Sequence, residues 1–311
     1  MDILKLINKR NLFFISFSIV ALLIYHAPIR EILDLAFNEK LYSYMILIPF
    51  VSGYFLFLKR KQIYTETSYS FKAGGILLII GVSLFFIGEK NDLGLSPSSH
   101  LSLTMLSALM FWIGGFVLFY GIKAFKIASF PLLFLLFMVP IPSRALEIII
   151  LFLTSGSAEA ANGFFKLTGV PVLREGFTFH LPGINIEVAK QCSGIRSGLS
   201  LVITCIVAGE LFLQTGWKKL ILVLSAIPIT IIKNGLRIAT LSLLGTYVDP
   251  RILSSDLHER GGIPFFILAL VVMAPILFWL RKTERKSEGS DKIELKKGVP
   301  SSEVLSSKSE L

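Results

Sequence analysis

Cysteine and histidine are scarce in this chain: two and four of 311 residues. Two thiols, Cys192 and Cys205, cannot supply a disulfide framework. If one helix carried both, a separation of thirteen residues would hold them about 20 Å apart, too far to bridge. His26, His100 and His180 have no Cys, Asp or Glu companions at metal-ligand spacing. No HExxH, G-x-S-x-G or phosphate-binding glycine loop is present, so neither a metal nor an organic cofactor is expected. Glu147, Glu159 and Glu187 are dispersed and give no positive signal for a paired-carboxylate glycosidase site. Charged residues make up only 17% of the chain, against about 25% in a soluble domain.

Apolar residues take the place of charge. They are 53% of the chain, Phe alone accounts for 26 positions, and mean hydropathy is +0.72. Apolar runs of about 17–25 residues recur, which excludes a soluble enzyme and a disordered chain and indicates an all-α polytopic membrane protein. The runs read as about eight spans: Leu12–Ala27, Leu41–Leu58, Ala73–Gly88, Leu101–Gly121, Ile127–Pro140, Ser193–Leu213, Leu220–Leu243 and Gly262–Leu280. The first resembles a signal peptide, but no small-residue cleavage site follows Leu22, so it is expected to remain as a span.

Net charge is +10, and the tail from Arg281, with eight basic and six acidic residues, contributes little of it. The excess lies in short loops, where it reads as a topology signal rather than a nucleic-acid surface. Lys5, Lys9, Arg10, Lys59–Lys61, Lys72, Lys123, Lys126, Lys218, Lys219 and Arg281–Lys286 alternate with acidic or mixed loops. The positive-inside rule then puts both termini in the cytoplasm. On this count Ser143–Gly169, broken by Ser, Gly and Glu, begins and ends outside and is expected to be an interfacial or re-entrant helix, with a ninth crossing as the alternative. Residues 170–190 follow with Phe177, Phe179 and Leu181 alternating, a Pro182–Gly183 turn, then Ile184, Ile186 and Val188 alternating: an extracytoplasmic β-hairpin. Residues 1–280 are thus expected as one transmembrane domain and 281–311 as a disordered cytoplasmic tail.

Three polar groups fall at one expected depth. Cys192 opens the sixth span, where unpaired N–H groups favour a thiolate, and Arg196 lies four residues on. A lone membrane cysteine is ordinarily a small packing residue, and Cys205, inside LVITCIVAG, is read that way. Arg237, with Lys233 and Asn234, lies about 27 Å along the seventh span from Lys218–Lys219, near the outer edge of the membrane. An intramembrane Arg points to a functional site, although snorkelling or a helix contact would also accommodate it. His258 precedes the last span by four residues and reads alone as a solvated loop side chain. Together the three could deprotonate a thiol and stabilise an oxyanion.

These residues resemble the exosortase/archaeosortase family of multi-pass membrane enzymes. The resemblance rests on FPLLFLLFMVPIP (Phe130–Pro142), the hairpin leading into VAKQCSGIRS (Val188–Ser197), AIPITIIKNGLRI (Ala226–Ile238) and the His of LHERGG (Leu257–Gly262). Gln191 and Tyr44 depart from residues frequent in the family at those places. The resemblance implies a cysteine transpeptidase of PEP-CTERM-type protein sorting, with Cys192 as nucleophile, Arg237 and His258 as catalytic partners, and Arg196 and Asn234 in support. It implies as partners exported proteins whose C-terminal sorting signal carries one transmembrane helix and a basic tail, and an envelope lipid or glycan as acceptor. Location in a bacterial inner membrane, with the site outside, follows from the same resemblance. The alternative of a different class is a transporter or assembly factor for exopolysaccharide export, with Lys233 and Arg237 lining an anion path; the lack of inverted repeats weighs against it.

Overall fold

The structure, a computed structural model, describes residues 9–89, 94, 96–188, 193–249, 251 and 262–297, with side chains of the last helix as far as Arg285. The chain divides into two compact units, residues 1–148 and 149–311.

In the first unit, α1 (Lys9–Ile24) and α2 (His26–Asn38) form one apolar pair bent by 72° at Tyr25. Pro28 causes no loss there, because the first turn of a helix has no use for its missing N–H. Tyr25 is buried at the bend, and its hydroxyl meets Ser107 Oγ at 2.9 Å. A 3₁₀ stretch (Lys40–Ile46) leads into α3 (Leu47–Thr65), followed by α4 (Phe71–Glu89) and α5 (Pro97–Ile127). The α4–α5 seam is built on glycine every seventh residue. A Cβ at Gly74 would fall 2.5 Å from Leu118, at Gly81 2.8 Å from the Phe111 backbone, and at Gly88 3.1 Å from Thr104. Lipid offers no hydrophobic drive between helices, so such close backbone approach holds them together. Ser107 adds a bond to the Gly81 carbonyl at 2.8 Å. α5 is interrupted at Gly121 (φ 86°, ψ 171°), a conformation open essentially to glycine alone. Carbonyls freed beside this break accept from the α3–α4 linker, Tyr120 O from Ser68 N and Leu118 O from Ser70 N.

Two expectations change here. Ile127–Pro140 is not a helical span: α6 (Ser129–Phe134) gives way to a 3₁₀ turn (Leu135–Met138) and then extended chain. Pro140 and Pro142 cannot donate to a helix, and the preceding residues are pushed to extended conformations. The segment nevertheless travels the length of α5. Leu132 packs with Phe116 and Ala124, Val139 with Leu109 and Ile113, and Pro140 O accepts from Ser102 Oγ at 2.8 Å. Ser143 Oγ then meets Ser98 Oγ at 2.7 Å, beside the N-terminus of α5. Second, residues 143–168 are not broken: α7 (Ser143–Thr168) is one continuous helix of 26 residues, long and apolar enough for the crossing held as the alternative to an interfacial placement. Its Ser, Gly and Glu residues do not interrupt it, because they fall on different faces. Leu153, Thr154, Ser157, Ala158, Ala161 and Phe165 form the buried stripe, while Glu147 and Glu159 stay exposed.

In the second unit the expected hairpin is a three-stranded antiparallel sheet, β1 (Leu173–Glu175), β2 (Thr178–Leu181) and β3 (Ile184–Glu187), in that order. Gly176 and Gly183 make its turns at φ 62° and 85°. The alternation is as read: Phe179 pairs with Ile186, and Phe179, Leu181 and Val188 are buried with Phe165 of α7. Glu159 of α7 holds Arg174 of β1 at 2.9 Å. Three long helices complete the unit: α8 (Ile195–Phe212), α9 (Gly216–Tyr247) and α10 (Gly262–Lys297). α10 runs well past Leu280, through part of the stretch expected to be disordered; the Lys, Arg and Glu frequent in its sequence are good helix formers. Among the described residues seven helices have the length and apolarity of spans, or eight with the bent α1–α2 pair counted as one. This is a polytopic helical membrane protein.

Candidate functional site

The geometry of the second unit follows from α9, which packs antiparallel to α8 on one side and to α10 on another. At its N-terminal end Lys219 pairs with Glu210 of α8 at 2.6 Å. Glu284 of α10 accepts from Gln214 N at 3.1 Å, Thr215 N at 2.7 Å and the Thr215 hydroxyl, and so caps α9 across the bundle. Midway, Leu201 and Cys205 of α8, Leu222 and Ala226 of α9, and Ala269 and Met273 of α10 share one core. Cys205 is 1% exposed there, the packing residue the sequence suggested.

Farther along α9 the packing becomes closer and more polar. A Cβ at Gly198 would fall 2.8 Å from Thr230 Cγ2, and one at Gly194 2.8 Å from Asn234 Cγ. Gly194 also has φ 74°, so glycine is required twice over at the residue that starts α8. Asn234 is 2% exposed; its Nδ2 donates to Ser157 Oγ of α7 at 3.0 Å. Next to it Gly235 lies against α7, where a Cβ would meet Ala160 Cβ at 2.5 Å. Lys233 is 5% exposed, donates to Ser197 Oγ of α8, and has its Nζ 5.9 Å from the Phe266 ring of α10. Arg237 is half-buried one turn beyond, and Ile238 and Ala239 then pack under the sheet.

One end of the α8–α9–α10 bundle therefore gathers the start of α8, residues 230–239 of α9 and the start of α10. Asn234 and Arg237, both expected in the site, belong to it. Arg196 sits in the first turn of α8 but is exposed. Cys192 and His258 lie outside the described residues; in sequence they precede Gly194 by two and Gly262 by four. Beyond the end of α9, Arg251 donates from its backbone N at 2.9 Å and from Nε to Asp249, which holds that carboxyl below the usual range. Among the described residues no group of three His, Cys, Asp or Glu could hold a metal.

Ser157, Ser197 and Thr230 were not anticipated. Their signal is weak, because Ser and Thr in membrane helices commonly bond to their own backbone, as Ser200 and Thr204 do here. Chemically, the cluster is a cationic, hydroxyl-lined end of a helical bundle, roofed by a small sheet. It suits an anionic intermediate or substrate group.

Searches of curated proteins and of solved structures found no match. A family model described as transmembrane exosortase matches residues 36–275, a stretch that contains every site residue named above. The chain belongs to the transmembrane exosortase family.

Proposed function

We propose that the protein is a membrane cysteine transpeptidase that cleaves C-terminal sorting signals of exported proteins and transfers the product to an envelope acceptor. The observation that carries this reading is the meeting of Gly194, Asn234 and the α10 N-terminal region at one bundle end. These are the described neighbours, in sequence, of Cys192, Arg237 and His258. In the proposed reaction the Cys192 sulfur, its proton passed to His258, attacks the scissile carbonyl carbon. Arg237 faces the tetrahedral oxyanion. The C–N bond breaks, His258 returns the proton to the leaving amine, and the acyl group remains on sulfur as a thioester. A hydroxyl or amine of an envelope lipid or glycan then forms the new acyl bond and releases the thiol. Asn234 positions the α8 turn, and Arg196, exposed, is available to the substrate. In this reading the end bearing Cys192 faces the extracytoplasmic side, as the loop charges suggest by the positive-inside rule, and the membrane is a bacterial inner membrane, as the family resemblance implies.

The test is co-expression with a protein ending in a short motif, an apolar helix and a basic tail. Cys192→Ala is expected to abolish processing without loss of the membrane-inserted enzyme, whereas Cys205→Ala processes normally. Processing by Cys192→Ala would remove the nucleophile assignment.

A further inference from the structure

Lys233 has no part in the reaction above, yet it is the most deeply buried cation of the site, 5% exposed. Its ammonium donates to Ser197 Oγ, and the Ser197 hydroxyl donates to the Gly194 carbonyl at 3.0 Å. That carbonyl also receives the Gly198 N–H at 2.8 Å, the first helical bond of α8. The relay therefore runs from the α9 ammonium, through one hydroxyl, to the left-handed turn that begins α8. Among the described residues no carboxylate comes within ion-pair distance of Lys233. Removing an ammonium from water costs several kcal/mol, and one hydroxyl with an aromatic face at 5.9 Å offsets only part of that. Arg237, four residues on, puts a second positive charge on the same helix face, an unfavourable arrangement in itself. Methionine would fill the same space with neither cost, so packing alone does not account for a lysine.

We infer that Lys233 is a positioning residue: through Ser197 it fixes the Gly194 turn, two residues after Cys192 in sequence, and its charge favours the Cys192 thiolate. Its consequence for processing rests on the reading of Cys192 as nucleophile, but its effect on the thiol does not. Lys233 and Arg237 then divide the work. The first favours the thiolate before attack, the second the oxyanion after it. At an effective dielectric near 20, a unit charge acting over about 10 Å alters a proton equilibrium about tenfold.

The experiment is alkylation of full-length detergent-solubilised protein by iodoacetamide at neutral pH. Cys205→Ala is the background, so that Cys192 is the sole thiol. Lys233→Met is expected to slow alkylation about tenfold, and Lys233→Arg to restore the rate to within about threefold of background. Ser197→Ala keeps the charge, breaks the relay, and is expected to slow alkylation about threefold. It provides the decision if Lys233→Met does not fold, as judged by its thermal melt. A background rate in Lys233→Met, equal slowing by Met and Arg, or, where Met fails to fold, a background rate in Ser197→Ala would each overturn the inference. Processing is not measured, so a dispensable Cys192 in the transpeptidase assay leaves this result standing, and the reverse also holds.

Discussion

Gly194→Ala separates two demands that the structure makes on a single residue. The first is conformational: φ of 74° costs an L-residue about 1–2 kcal/mol. The second is steric: the new Cβ would lie 2.8 Å from Asn234 Cγ and 3.0 Å from Oδ1, on a side chain fixed by its bond to Ser157. Overpacking of that kind costs about 1–3 kcal/mol, so the single variant is expected to lose about 3 kcal/mol in all. Asn234→Ala alone loses the Ser157 bond, about 1 kcal/mol. In the double variant the obstructing amide is gone, and only the conformational part of the glycine demand remains. The two substitutions should therefore fall short of additivity by at least about 1 kcal/mol, the size of coupling expected for contacting residues. Gly183→Ala is the control. Its φ is 85° but nothing stands within 4 Å of the new Cβ, so it should show the conformational cost alone. Thermal unfolding of the four variants in one detergent gives the comparison. Additive losses, or a Gly194→Ala loss no larger than that of Gly183→Ala, would refute the packing of Asn234 beneath the α8 turn.

Two further outcomes test other parts of the molecule. Glu284→Ala removes three bonds to Gln214 and Thr215 and leaves the start of α9 uncapped. At about 1.5–3 kcal/mol for hydrogen bonds to a charged group, its melting temperature should fall by several degrees, and Glu284→Gln should fall less. A membrane-impermeant maleimide, applied to the Cys205→Ala protein, should label Cys192 from the extracytoplasmic side only. Labelling from the cytoplasmic side alone would reverse the orientation derived from Lys218, Lys219 and the other loop cations.

Helix positions were legible where hydropathy alone decides them. The runs at 73–88, 101–121, 220–243 and 262–280 lie within single helices, the run at 41–58 lies within the 3₁₀ stretch and α3, and the run at 193–213 overlaps α8. Hydropathy failed where conformation and burial part company. Residues 127–140 are as apolar as a span, but Pro140 and Pro142 end regular hydrogen bonding, and the neighbouring α5 supplies Ser102 as a donor instead. Residues 143–168 look broken only when read as a string. Wound at 3.6 residues per turn, Leu153, Thr154, Ser157, Ala158, Ala161 and Phe165 form the buried stripe, and the charges face outward. The heptad of glycines at 74, 81 and 88 was visible in the sequence. Its meaning, contact with 118, 111 and 104 in reverse order, required the partner helix.

The site divides in the same way. Asn234 and Arg237 stand out because polar groups within a span are costly, and that cost is a property of sequence. Gly194 and Ser197 do not stand out, since glycine and serine are common where helices begin. What distinguishes them is the chemistry of the opposite helix: an amide under a carbon without a side chain, and an ammonium reaching a hydroxyl. A reading confined to the residue types that perform chemistry finds the groups that act on substrate. It misses the small residues whose absence of volume lets those groups come near, and in this bundle the close approach at Gly194, Gly198 and Gly235 is what draws α7, α8 and α9 together around Asn234.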